Sequence, residues 1–320
     1  MSWIFDLKIA METSTPNFSR AWSPQHVWII ARYSMRFALR SGGGLIFLLI
    51  FLTVGLSVAA LFITPMEGLV KMEGSDSMSA SEVSSTILES EIVANAVEWI
   101  TSSDSAQSEY LLKEKPALLS AILLMLLISV PFTTCFGAFN QTSGDIASKG
   151  LRYLLLRTER TNIFLGRFVG TLLFTIISVT GTILVILLYM QFKVGAYPVM
   201  DLWLWGFQGL TAVFLLSLPY IALCAWFSCM LDTPFGSLTI CLMISGFSLA
   251  LIYLLKMTLV SSMNVDSDSL GWLFKTMPWG WKYELLHGAP MVRIAAILAM
   301  LGFTAAFLFL GLRHFNKRDL

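Results

Sequence analysis

Charge is what this chain has least of. Asp, Glu, Lys and Arg make up 13% of its 320 residues, about half the share of a soluble domain, while 56% are hydrophobic. A net charge of +1, with basic residues only in local clusters, gives no reason to expect a nucleic-acid partner. Cysteine is scarce: Cys135, Cys224, Cys229 and Cys241 all fall in apolar stretches. That excludes a disulfide-stapled ectodomain and reads as small apolar packing residues. Neither their spacing nor the three histidines suggests a metal site. The first 26 residues hold Asp6, Glu12 and Pro16 and no continuous apolar core, so no signal peptide is expected there. Neither Walker motif occurs, so the chain is expected to be non-catalytic and unable to hydrolyse ATP.

Long apolar runs are abundant instead. A membrane helix needs about 20 mostly apolar residues. Six stretches qualify, at about 43–64, 117–139, 163–191, 203–229, 236–258 and 290–312. The expected fold is therefore an all-α membrane protein with six transmembrane helices. Leu231, Asp232, Thr233 and Pro234 form the turn between the fourth and fifth spans. None of the six carries an ionisable residue near its middle; Arg167, Lys256 and Arg293 lie near ends. An ion-coupled carrier or an intramembrane protease needs such groups at depth, so both readings lose their chemical basis.

Lys and Arg set the orientation. If the N-terminus is cytosolic, the inner segments hold Lys8, Arg20, Arg32, Arg36, Arg40, Lys149, Arg152, Arg157, Arg160, Arg167, Arg313, Lys317 and Arg318. Both termini are expected in the cytosol, with residues 1–42 before the first span and 313–320 as a tail. Residues 65–116 then form an outer loop carrying ten acids against Lys71, Lys113 and Lys115. Ser79 and Glu82 have capping-box spacing ahead of a helical run to about Ile100. Met66, Met72 and Met78 read as plain apolar contacts rather than soft metal ligands.

Three further segments carry candidate function. Before the first span, Val27, Trp28, Ala31, Met35, Ala38 and Leu39 share a helical sector edged by Arg32, Arg36 and Arg40. Ile29 and Phe37 break that pattern. An amphipathic helix in the inner interface fits it, and so does a plain topology signal. Before the last span, "SLGWLFKTMPWGWKYELLHGAP" is dense in interfacial aromatics. A hairpin built on Trp272, Phe274, Pro278, Trp279 and Trp281 either gates an outer exit or anchors the fifth and sixth spans. The third segment, 140–162, joins the second and third spans. Leu151, Leu154 and Leu155 make an apolar edge among Arg152, Arg157, Glu159 and Arg160, a pattern suited to docking in a partner's groove.

That segment, "FNQTSGDIASKGLRYLLLRTERTNIFLGRFVG", resembles the signature region of ABC-2 type transporter permeases. The matching positions are Asp145, Gly150, Arg152, Leu154, Leu155, Arg160, Gly166 and Arg167. The amphipathic leader, the six spans, "MPWGW" and the basic ending "RHFNKRDL" agree with it. The resemblance implies a half-transporter in the bacterial inner membrane that pairs with a second copy. It also implies two copies of a separate ATPase subunit, which hold ATP and Mg and push on a cytosolic coupling helix. Asp145, Gly150, Arg152, Leu154, Leu155, Arg157 and Arg160 are the expected coupling residues, with Leu154 and Leu155 in the ATPase cleft. Export of an amphiphilic or otherwise unidentified substrate is the expected function, and the outer loop leaves room for a periplasmic partner. The alternative is an ATPase-coupled scaffold that acts on an envelope protein and moves no substrate.

Overall fold

A computed structural model describes residues 22–40, 42–72, 107, 110–194, 197–263 and 275–318. The described residues are helical or irregular, with no strand among them. Nine α-helices follow in order among the described residues: α1 Pro24–Arg40, α2 Gly42–Met72, α3 Ala117–Ala138, α4 Ser143–Ala147, α5 Leu151–Leu155, α6 Arg160–Lys193, α7 Val199–Met230, α8 Pro234–Met263 and α9 Pro290–Lys317. A π-turn, Tyr110–Glu114, precedes α3, and two 3-10 turns, Pro278–Trp281 and Glu284–Leu286, precede α9.

Five described helical stretches are long and apolar enough to cross a membrane: Gly44–Thr64, Ala117–Ala147, Arg160–Lys193, Val199–Met230 and Pro290–Lys317. Length and composition give the chain the character of a multi-pass membrane protein. The fifth expected span falls on α8, of which Pro234–Phe247 registers as a shorter apolar helix. Lipid offers no hydrogen bonds, so continuous helices are the way such segments satisfy their backbone. The boundaries differ from expectation by a turn: α6 starts at Arg160 rather than near 163, and α7 at Val199 rather than near 203. Polar and charged residues extend these helices beyond their apolar runs.

Helix α3 is the centre of the bundle. Over an apolar 18-residue run of the stretch that contains it 78% of the residues are buried, against 22% over such a run of α9. Helix α3 is apolar all round, and it packs on α2, α6, α7 and α8. One buried cluster runs through Phe47, Leu123, Phe174, Leu187, Trp205 and Met300. A second gathers at the end where α3, α7 and α9 stop, with Ala138, Leu151, Phe164, Cys224, Cys241 and Phe315. All four cysteines are free and buried, matching their reading as packing residues.

Helix α1 lies flush on α6 because α6 is notched. A Cβ on Gly166 would sit 2.7 Å from the Ile30 side chain, and one on Gly170 would sit 2.6 Å from Ser34 Cβ and 2.8 Å from the Ala31 carbonyl. Small residues one turn apart permit this close approach. The contact fixes which side of α1 is inward: Ala31 and Ser34 are buried, with Ile30 and Met35 half-buried. Trp28 of the apolar helical sector is exposed, together with Ile29, Tyr33 and Phe37, and Tyr33 stacks on Phe37 at 6.4 Å. Arg32, Arg36 and Arg40 are exposed beside them.

Candidate functional site: the joint between α3 and α6

The chain leaves α3 at Ala138 and is tied at once to its neighbours. Gln141 Nε2 donates to the Ile221 carbonyl at 3.0 Å. Ser228 Oγ accepts from the amides of Thr142 and Ser143, at 2.9 and 3.0 Å. Asn140 Oδ1 accepts from the Gly144 amide at 2.9 Å, which satisfies an otherwise unpaired donor as α4 begins. Two one-turn helices follow, where a single coupling helix was expected. Lys149 separates them at φ 55°, a left-handed conformation unusual for a side-chain-bearing residue.

The residues singled out from sequence divide into three sets here. Asp145 turns inward and forms an ion pair with Arg167, whose side chain is 12% exposed. Arg167 also donates to Ser34 Oγ at 3.2 Å, so α4, α6 and α1 meet on one guanidinium. The start of α1 is held to the same region: the Ser23 amide donates to Asn162 Oδ1 at 3.2 Å, and Asn162 Nδ2 donates to Thr158 Oγ1 at 3.2 Å.

Arg160 makes a different connection. Its Nη1 donates to the carbonyls of Phe315, Asn316 and Arg318, at 3.2, 3.0 and 2.6 Å. A helix end leaves such carbonyls unsatisfied, and a cation there also suits the helix dipole. Arg318 in turn reaches the Cys229 carbonyl and the Asp232 carboxylate. The joint therefore clamps the ends of α6, α7 and α9 together.

The third set is the outward surface. Leu151 is buried, and Leu154 and Leu155 are half-buried against the second core cluster. Tyr153 is 75% exposed and Leu156 84% exposed, with Arg152 and Arg157 also exposed beside them. The sequence pattern pointed to the leucine pair; the packing presents Tyr153 and Leu156 instead. On a one-turn helix the neighbours three residues apart share a face, so Tyr153 and Leu156 form one patch.

The turns before α9 form a second cluster, at the other end of the bundle. Of the expected hairpin residues, Pro278, Trp279 and Trp281 lie here, while Trp272 and Phe274 fall outside the described residues, as does the helix expected between residues 82 and 100. Pro278 opens a 3-10 turn. Glu284 pairs with Lys275 at 2.7 Å, and Trp281 Nε1 donates to the Lys275 carbonyl at 2.8 Å. Gln107 Nε2 donates to the Tyr283 carbonyl at 2.8 Å.

Lys282, which no sequence pattern singled out, is 3% exposed. Its Nζ sits over the Trp279 ring at 3.0 Å from the centroid and over Tyr283 at 3.9 Å. Among the described residues no ion pair involves it. Desolvated cation–π contact favours the ammonium by about 2 kcal/mol, whereas burying an ion costs several kcal/mol. Burial wins and pushes the Lys282 amine down to about 6. Burial also raises the Tyr283 phenol above its ordinary range. Trp279, three residues before the lysine, and Tyr283, directly after it, supply the two rings in "WGWKYE".

The family described as "Protein of unknown function (DUF2705)" matches residues 91–320, and the chain belongs to it. The match takes in the joint, the turns and every helix from α3 onward. No curated protein matches the chain.

Proposed function

We propose that this member of the DUF2705 family is the six-span permease subunit of an ATP-driven transporter, energised by a separate ATPase that docks on the α4–α5 joint. The observation that carries the reading is the joint itself. An exposed apolar patch, Tyr153 and Leu156, is flanked by arginines and mounted on a hairpin linked to α1 and α6 through Arg167. A push on that patch would reach the membrane helices through packed side chains and a charged contact, rather than through a loose loop. In this reading the joint and α1 face the cytosol of a bacterial cell, α8 completes six spans, and two copies assemble. Tyr33, Phe37 and Trp28 of α1 lie in the inner lipid interface, where aromatics beside arginines are favoured. ATP and Mg belong to the partner, and the cargo is amphiphilic.

The test separates docking from folding by using adjacent leucines. Leu156→Asp changes an exposed residue, so its unfolding free energy in detergent should stay within about 0.5 kcal/mol of wild type. It should nevertheless lose a nucleotide-binding subunit from mild-detergent pull-downs, together with the ATPase activity. Leu155→Asp puts a carboxylate against the second core cluster and should lower that free energy itself. A Leu156→Asp chain that retains the ATPase at wild-type yield overturns the docking site. A wild-type chain that brings down envelope proteins and no ATPase overturns the permease reading as well.

A further inference from the structure

The turns that carry Lys282 hold a titratable group in a setting that the permease reading does not use. The amine is enclosed by two rings and has no carboxylate partner among the described residues. The nearest acid along the chain, Glu284, is taken by Lys275. Trp279 Nε1 and Glu284 Oε2 are buried without hydrogen-bond partners among the described residues. Beside the Lys275–Glu284 pair and the bonds from Trp281 and Gln107, closure of the turn buries Pro278, Lys282, Leu285 and Leu286.

We propose that the Pro278–Leu286 turn is a pH-graded cover on this end of the bundle. It is latched when Lys282 enters the Trp279–Tyr283 pocket as a neutral amine, and released when that amine takes a proton and returns to water. The turn packs on α7 and α9, and Gln107 bonds to it from the segment before the π-turn. The charged or titratable groups those elements carry at this end are Asp201 on α7, Arg293 on α9, and Tyr110, Lys113, Glu114 and Lys115 on or beside the π-turn. On the turn's own strand of chain are Lys275, Tyr283, Glu284 and His287. Lys115 is placed over Tyr110 and Trp205, at 5.5 and 5.4 Å, rather than on the Lys282 pair.

The direction follows from linkage. In the closed turn burial holds the amine near 6, while in an open turn it returns to its ordinary 10.5. Between those values the open state binds one more proton than the closed state. The closed-to-open ratio therefore rises about tenfold for each unit that pH rises across the interval, and levels off at its minimum below it.

Hydrogen–deuterium exchange of the full chain in nanodiscs, corrected for intrinsic rates, reads this ratio over residues 278–286. Wild type should gain about tenfold protection per unit between pH 6.5 and 8.5. Lys282→Met should show a flat profile, and His287→Gln should keep the wild-type slope. A flat wild-type profile, a slope retained in Lys282→Met, or a slope lost in His287→Gln overturns the proposal. Competitive acetic anhydride labelling needs no variant: the Lys282-to-Lys275 labelling ratio should fall about tenfold per pH unit over the same range. A constant ratio overturns it equally. Neither measurement depends on an ATPase being present.

Discussion

Asp145 and Arg167 show how much a single contact carries at the joint. The carboxylate is 27% exposed and the guanidinium 12%, so water screens the pair only in part. Hydrogen bonds to charged groups in such settings contribute about 2 kcal/mol, and an unpaired partner adds its own desolvation cost. Asp145→Asn should therefore lower the unfolding free energy in detergent by about 2 kcal/mol. A cycle with Arg167→Gln should return a coupling on the order of 1 kcal/mol, well above the spread expected of independent sites. Additive single mutants would mean that the pair is a surface contact. Asp145 and Arg167 were both visible in the sequence as members of one motif, but their pairing was not. They lie 22 residues apart, and only the fold of α4 against α6 brings them together. Arg160 was still less legible, because its carbonyl partners lie more than 150 residues away.

At the scale of elements, the apolar runs were readable because spanning a bilayer demands about 20 apolar residues whatever the neighbours do. The facing of α1 was not, because hydrophobicity alone does not choose it. Gly166 and Gly170 on another helix choose it, by admitting Ile30 at the first and Ala31 and Ser34 at the second, and leaving the larger aromatics outside. That dependence is testable. Gly170→Val would drive a side chain into Ser34 and the Ala31 carbonyl, and backbone atoms cannot yield as a flexible side chain can. Helix α1 should lift from α6, with proteolysis within residues 24–40 accelerated at least several-fold. Gly181 is the control, since a Cβ there meets nothing within 4 Å. Gly181→Ala should leave α1 in place and add up to about 1 kcal/mol through helix propensity. Equal cleavage of α1 in both variants would show that the notch does not hold it.

Across the whole molecule, two kinds of contact hold α9, the least buried of the five long helices, against the rest. One is polar: Arg160 and Arg318 tie its end to α6 and α7. The other is steric: at Gly311 a Cβ would lie 2.7 Å from the Phe164 ring and 3.2 Å from Trp226 Cα. In lipid the tails are as apolar as the side chains, so close packing rather than hydrophobic transfer drives helix association. The steric contact should then dominate. Arg318 reaches an Asp232 that is 79% exposed, and Arg160 holds the same helix end independently. Arg318→Ala should cost about 1 kcal/mol. Gly311→Val forces an overpacked side chain toward a helix backbone, a change that costs about 1–3 kcal/mol and more where the backbone must move. Thermal midpoints in one detergent should fall further for Gly311→Val than for Arg318→Ala. The double variant should sum the two losses if the contacts act separately, and fall short of that sum if loss of packing already frees the helix end. The reverse order of the single variants would make the charged clamp, rather than the packing of α9 on α7, the contact that keeps this end of the bundle closed.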